Sequence, residues 1–81
     1  MKKEVYIHYF ASLKEASGKQ SECLVTEANT PEELYAELCK KYNFVLPKAA
    51  VKVAINDHYE EMNADLKDGT QLSFIPPVSG G

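Results

Sequence analysis

The residues of this sequence that could do chemistry lie at its carboxyl end, where Gly80 and Gly81 follow an uncharged segment. Glycine has no Cβ, so a diglycine tip can pass through a channel that is too narrow for a side chain. No side chain shields the carboxylate of Gly81. We therefore interpret this carboxylate as a reactive group that another protein can reach.

Pro76 and Pro77 precede the tip and fix their φ angles at about −65°, which favours an extended, polyproline-like path. A frayed terminus or an expression remnant without a role is the alternative interpretation. The functional interpretation is favoured because the last predicted strand ends where the tail begins and because residues 76–81 carry no charged side chain. We expect the two prolines to project the last four residues away from the body of the protein, namely Val78, Ser79, Gly80 and Gly81.

The chain has 81 residues, enough for one domain with a modest core but too few for a cleft between two lobes. We expect a domain over residues 1–75, a flexible functional tail over residues 76–81, and no catalysis by the chain alone. The composition is 44% hydrophobic with a formal net charge of −3, which is typical of a soluble globular domain. All nine basic residues are lysines. The chain therefore lacks arginine, the side chain best suited to bidentate contact with phosphate, and its net negative charge repels nucleic acid. We expect no nucleic-acid partner.

The histidines and cysteines form no recognisable catalytic or metal-binding pattern. His8 and His58 have no serine or cysteine partner at a motif spacing, so acid–base catalysis by this pair is not expected. We expect Cys23 and Cys39 to be reduced, partly buried thiols, because the sequence starts without a signal-peptide core. Two cysteines and two histidines at these spacings do not predict a zinc site. No apolar run approaches membrane-spanning length, and we expect a cytoplasmic protein without a membrane partner.

The elements that must position the tail are predicted from apolar periodicity. Alternating apolar residues indicate five strands, and a short helical segment over residues 11–17 ends at Gly18. A turn containing Asp68 and Gly69 precedes the last strand, and residues 56–58 form another turn. The strands are predicted at residues 4–10, 21–26, 51–55, 59–62 and 71–75.

The main helix has the clearest local pattern. Thr30 is a typical N-cap, Pro31 suits the first helical position, and Glu33 stands where a capping box places its acidic residue. Asn43 can stop the helix. An apolar stripe at helical spacing lies between these ends and comprises Leu34, Tyr35, Leu38, Cys39 and Tyr42.

The predicted elements form an α+β domain in which one main helix covers a single face of a mixed sheet. The covered face takes the core set of Val5, Ile7, Tyr9, Val51, Val53, Ile55, Leu72 and Phe74. Residues of opposite parity emerge on the uncovered face, namely Tyr6, His8, Phe10 and Ile75, and Tyr59 extends that surface. We expect this apolar surface beside the tail to dock another protein.

This order of elements and the terminal Gly-Gly resemble the ubiquitin-like β-grasp family. Within it the sequence resembles the small, sulfur-carrier subunits of molybdopterin synthase, and the resemblance covers essentially the whole chain. Its most specific part is Pro-Pro-Val-Ser before the diglycine, and Tyr9-Phe10-Ala11 followed by Leu13-Lys14-Glu15 resembles the family's first strand and turn. The diglycine alone is shared with sulfur carriers of thiamine synthesis and tRNA thiolation and with ubiquitin-type modifiers.

The resemblance implies a chemical role for Gly81. An adenylyltransferase of the ubiquitin-activating type would consume ATP to adenylate its carboxylate, and a sulfur donor would convert the adenylate to a thiocarboxylate. The sulfur of a thiocarboxylate is a better nucleophile than a carboxylate oxygen, by the logic that makes thiolates the reactive form of cysteine. By this resemblance the chain itself would bind no permanent cofactor and no metal.

The resemblance also implies the partner. The tail, from Pro76 through Pro77, Val78, Ser79 and Gly80, would enter the large catalytic subunit of a heterotetrameric synthase and deliver sulfur to cyclic pyranopterin monophosphate. The docking residues on the domain would be Phe10, Tyr59 and Ile75. Three alternatives stay open: a modifier that joins Gly81 to a target lysine, a sulfur carrier for thiamine or tRNA thiolation, and a binding domain with an inert tail.

Overall fold

The structure is a computed structural model that describes residues 1–77. Over that range the strands are β1 (Lys3–Tyr9), β2 (Ser21–Thr26), β3 (Lys52–Ile55), β4 (His58–Glu60) and β5 (Gln71–Ile75). The helices are α1 (Ala11–Ser17) and α2 (Pro31–Tyr42), with a 3₁₀ turn at Lys48–Ala50. The five strands form one sheet in the order β2-β1-β5-β3-β4. The predicted α+β class and mixed sheet are confirmed.

The first and last strands, β1 and β5, lie side by side in the sheet and run parallel, with Tyr9 opposite Phe74. The other neighbouring pairs are antiparallel, β2 with β1 and β3 with both β4 and β5. Parallel strands end at the same edge of a sheet. The residues at this end of the pair, Phe10 after β1 and Ile75 at the end of β5, therefore lie next to each other.

The hairpin between β3 and β4 is tighter than predicted. Asn56 and Asp57 have φ angles of 50° and 72°, the left-handed conformation of the two central residues in a type I′ turn. Consequently β4 begins at His58, which the sequence analysis assigned to the turn, and it ends at Glu60 instead of the predicted Met62.

Both ends of α2 follow the sequence prediction. The Thr30 hydroxyl accepts a hydrogen bond from the Glu33 backbone N–H at 3.2 Å, and Asn43 ends the helix with a φ of 58°. Glu33 departs from a standard capping box, because its carboxylate accepts from the backbone N–H of Asn29 at 2.9 Å, one residue before the cap. The cap satisfies one N–H group of the first helical turn, and the second bond satisfies the N–H of the residue before the cap.

The core lies between the sheet and α2, as the strand parity predicted. Seven of the eight predicted core residues of the sheet are buried, and only Ile55 is half-buried; it lies next to the turn of the β3–β4 hairpin. The core also takes residues from the loops that the sequence pattern did not single out, namely Ala28, Phe44 and Leu66. The short helix α1 contributes Leu13 and ends at Gly18, whose φ is 74°.

A carboxylate on the covered side ties three elements together. Glu22 is only 8% exposed and accepts hydrogen bonds from the hydroxyls of Tyr9 at 2.5 Å and Tyr42 at 2.7 Å. Lys19 and Lys41 lie 3.3 Å and 3.5 Å from its other oxygen. Burial by itself raises the pKa of Glu22, but the hydrogen bonds and the lysine charges outweigh it and lower that pKa below the ordinary value. Glu22 is therefore held ionised and links β2 to β1 and to the end of α2.

Candidate functional site

The candidate site is the surface where the chain leaves β5. Pro76 is buried and Pro77 is exposed, so the chain comes out of the domain between these two residues. The four remaining tail residues of the sequence prediction, Val78, Ser79, Gly80 and Gly81, lie outside the described residues. What the structure describes is therefore the base of the tail and the surface around it.

A groove of about 540 Å³ borders the base of the tail, and we call it the tail-base groove. It forms because Phe10 and Ile75 lie together at the end of the parallel strands β1 and β5, and because α1 contacts β5 and supplies the opposite wall. Five of its seven lining residues are apolar; the full lining is Phe10, Ala11, Ser12, Glu15, Ile75, Pro76 and Pro77. A surface of this kind suits an apolar side chain of another protein.

The groove brings together four of the site residues predicted on the domain and the tail base: Phe10, Ile75, Pro76 and Pro77. Phe10 is 48% exposed although it is a large aromatic residue, and Ile75 is half-buried. Their neighbour Phe74, of opposite parity, is fully buried. The predicted register of the last strand is therefore confirmed.

Tyr59 does not belong to this groove. It is 72% exposed, lies opposite Ala54 in the β3–β4 pair, and lines a separate surface cavity of about 720 Å³ with Lys48 and Lys52. Lys52 also lies opposite Ile75 in the sheet. The expected continuous apolar surface from Phe10 to Tyr59 is thus interrupted by a charged residue.

The rest of the uncovered face is more polar than predicted. The sheet register places Ser21, His8 and Ser73 in one row across it. Tyr6 is 41% exposed, and its hydroxyl donates a hydrogen bond to Glu4 at 3.0 Å. Only the end of the face nearest the tail is mainly apolar, which concentrates the candidate docking surface at the tail-base groove.

The cysteines and histidines stand apart from the groove lining. Cys23 and Cys39 are free thiols; Cys39 is half-buried, but Cys23 is exposed, which corrects the prediction that both are partly buried. Cys23 lies opposite Tyr6 in the β1–β2 pair. Local desolvation and the nearby Glu4 carboxylate raise the pKa of the Cys23 thiol, which keeps it protonated and a poor nucleophile. Both His8 and His58 are exposed.

Two negative findings concern residues 1–77. Neither helix in this range is long and apolar enough to cross a membrane. The same residues contain no group of three or more histidine, cysteine, aspartate or glutamate side chains that could hold a metal ion.

Sequence reasoning missed three residues of the groove: Ala11, Ser12 and Glu15. They were assigned correctly to a short helix, but strand parity says nothing about where that helix lies relative to β5. The amphipathic spacing of α1, in which Leu13 is buried and its neighbours are exposed, indicates which face of the helix packs on the domain, but it does not indicate that the helix lies beside β5.

Comparison with known sequences gives a family. The profile described as the ThiS family matches residues 7–81 of this chain. A protein named molybdopterin synthase sulfur carrier subunit from Aspergillus niger is 35% identical over 81 residues, which cover 93% of this chain and 91% of the relative. A protein of the same name from Haemophilus influenzae is 30% identical over 90% of this chain and 94% of its own length.

Comparison with solved structures also finds a molybdopterin-related protein. A protein–protein complex of subunits 1 and 2 of molybdopterin-converting factor from Helicobacter pylori contains a chain that is 34% identical, with a TM-score of 0.62 and coverage of 96% of this chain and 99% of that one. A ubiquitin from Caldiarchaeum subterraneum superposes over the full length of both chains with a TM-score of 0.65 at 15% identity. The fold is thus the ubiquitin-like β-grasp.

Proposed function

Because the chain belongs to the ThiS family and is homologous to molybdopterin synthase sulfur carrier subunits, we propose that it is the sulfur-carrying small subunit of a molybdopterin synthase. The observation that carries the proposal is the 35% identity to a relative of that name, of which the chain covers 91%. The candidate site supports it, since the mainly apolar tail-base groove lies where the reactive tail begins.

The proposed reaction begins at Gly81. An activating enzyme transfers AMP from ATP to the Gly81 carboxylate and releases pyrophosphate. A sulfur donor then displaces AMP, and a thiocarboxylate forms. Its sulfur attacks a carbon of the pterin precursor, cyclic pyranopterin monophosphate, and displaces an oxygen substituent from that carbon. Water then hydrolyses the resulting acyl–sulfur bond, which returns the Gly81 carboxylate and leaves the sulfur on the pterin. The dithiolene needs two sulfur atoms, so two carriers act in succession.

In this proposal the small subunit supplies the reacting atom and its position, and the acid–base groups belong to the large subunit. The relative that forms a complex with subunit 2 of molybdopterin-converting factor supports a large partner subunit. The groove residues Phe10 and Ile75 would hold the domain against that partner, so that the tail delivers its sulfur from a fixed starting point. Positioning of this kind replaces an encounter in solution by a reaction between held groups.

The test is reconstitution with purified components. The chain ending at Gly81 is incubated with the activating enzyme, ATP and a sulfur donor, and its intact mass is measured. A thiocarboxylate exchanges one oxygen for sulfur, whereas a persulfide on Cys23 or Cys39 adds a whole sulfur atom that a reductant removes. A variant with both Cys23→Ser and Cys39→Ser is the matched control and should gain the same mass as the native chain.

Addition of the large subunit and the precursor should then yield the dithiolene product. Three outcomes would contradict the proposal. Higher-mass conjugates through target lysines would favour the protein-modifier alternative, and a chain whose mass never changes would favour a binding domain with an inert tail. Efficient sulfur delivery to a thiamine or tRNA pathway enzyme, but not to the large subunit, would favour the other sulfur-carrier alternatives.

A further inference from the structure

One residue of the tail-base groove has a backbone conformation that its side chain does not favour. Among residues 1–77, four residues other than glycine have a positive φ, namely Ala11, Asn43, Asn56 and Asp57. Asparagine and aspartate tolerate the left-handed region because their short polar side chains hydrogen-bond locally. Ala11, with a φ of 49°, has no such group, so its Cβ is strained against its own backbone.

The fold gains little from the Ala11 methyl. Ala11 is exposed and is absent from the buried core, so its methyl fills no space in the domain. Glycine would adopt the same φ without strain. The other left-handed positions carry residues suited to them, as Gly18 and Asn43 do where α1 and α2 end. A strained residue that persists at one surface position points to a role outside the fold.

The position of Ala11 indicates what that role is. It lies between Phe10 and Ser12 in the lining of the tail-base groove, which Pro77 also lines. Four residues follow Pro77 in the sequence, and even fully extended they span no more than about 14 Å. Any protein whose active site receives Gly81 must therefore lie against the surface around Pro77.

We infer that the Ala11 methyl is a direct contact for the large synthase subunit, held in a strained conformation at the wall of the tail-base groove. The occupant is an apolar side chain of that subunit, because five of the seven groove residues are apolar. The inference rests on the proposed function. It adds a partner-binding residue that differs from Phe10 and Ile75 in one respect: its backbone strain opposes folding while its side chain serves binding.

The experiment measures two quantities on each variant of the full chain. Calorimetry gives the affinity for the large subunit, and thermal unfolding gives the Tm. Ala11→Gly should leave the Tm unchanged or raise it by up to about 4 °C. Glycine relieves the backbone strain of the folded state, but it also makes the unfolded chain more flexible, so that more conformational entropy is lost on folding. The same variant should bind about fourfold more weakly, the effect of one lost buried methyl. Ala11→Ser keeps a Cβ and should recover most of the affinity.

Asn43→Gly is the matched control, because it places glycine at another left-handed position, at the end of α2, outside the groove. Its affinity should equal that of the native chain. The inference is overturned if Ala11→Gly binds as tightly as the native chain, or if it lowers the Tm, which would show that the fold uses the methyl. It is also overturned if Asn43→Gly weakens binding equally.

The two levels of the proposal can fail separately. If Ile75→Ala weakens binding and Ala11→Gly does not, the role of Ala11 is wrong while the proposed function stands. If the native chain does not bind the large subunit at all, the proposed function is wrong and the inference falls with it.

Discussion

Phe74 and Ile75 are consecutive residues of β5 whose side chains lie on opposite faces of the sheet. Phe74 is fully buried, where its ring packs 5.5 Å from that of Tyr35, measured between centroids. Ile75 is half-buried on the other face and lines the tail-base groove. One peptide step therefore separates a residue that holds the fold from a residue available to a partner.

The first prediction exploits this pair. Phe74→Ala should cost roughly 3 to 5 kcal/mol of unfolding free energy, because it leaves a cavity in the core. Ile75→Ala, and Phe10→Ala beside it, should weaken binding to the large subunit by about 1 to 3 kcal/mol, as expected for a truncated apolar anchor. Urea unfolding and calorimetric titration of each variant measure the two effects. The assignment of the docking face is wrong if Ile75→Ala behaves as the core truncation and Phe74→Ala spares the fold.

The second prediction separates the tail from the fold. Deletion of Gly81, or replacement of Gly80 by leucine, should abolish sulfur transfer while the unfolding free energy changes by no more than about 0.5 kcal/mol, because the hydrophobic core of the described residues contains none after Phe74. Gly69→Ala is a matched control: it strains a turn whose φ is 81°, and it should lower stability while the folded fraction still transfers sulfur. Normal rates of dithiolene formation by the truncated chain would contradict the proposed role of Gly81.

The third prediction concerns the start of α2. Thr30→Ala removes the acceptor of the 3.2 Å hydrogen bond from the Glu33 N–H and should cost roughly 0.5 to 2 kcal/mol. Thr30→Ser keeps a hydroxyl and should retain most of the stability. Denaturant midpoints of the three proteins give the comparison, and equal midpoints for alanine and threonine would show that the cap contributes nothing.

The fourth prediction concerns pH. The pKa of Glu22 is lowered in the folded state, so the unfolded chain binds a proton more readily. The stability that Glu22 contributes is therefore complete above the ordinary pKa of glutamate and is lost as pH falls through the lower, folded value. Glu22→Gln should destabilise the protein by roughly 1 to 3 kcal/mol at neutral pH, since two hydroxyls lose a charged acceptor.

The same substitution should reduce the difference in unfolding free energy between neutral pH and about pH 3, because a glutamine side chain does not titrate. Glu15→Gln is the control, since Glu15 is an exposed carboxylate on α1. If the native protein and Glu22→Gln lose the same stability on acidification, Glu22 is not a source of the pH dependence.

The sequence predicted those parts of the structure that depend on neighbours along the chain. Both ends of α2, at Thr30 and Asn43, could be predicted because capping is a local interaction. The face assignment of Phe74 and Ile75 followed from the two-residue period of a strand. The β3–β4 turn was placed to within a residue, and its error at His58 arose because only backbone angles distinguish a two-residue turn from a three-residue one.

The parts that could not be predicted depend on residues far apart in the sequence. Glu22 receives its partners from β1, from the end of α2 and from the loop before β2, and no spacing in the sequence brings these together. The same holds for the exposure of Cys23, because the pairing of β2 with β1 places this residue opposite Tyr6 on the uncovered face of the sheet. The tail-base groove needs α1 beside β5, which the pattern of neither element reveals.

The parallel pairing of β1 with β5 has a mechanical consequence for a protein that is held by its tail. A pull on Pro77 against the amino-terminal end slides the two strands along their length, so the ladder bonds from Tyr6 to Phe74 bear the load together instead of opening one by one. An antiparallel pair pulled from its two open ends would instead unzip. When the last residues are drawn into a narrow channel while the amino-terminal end is held, the load therefore falls on this ladder in shear.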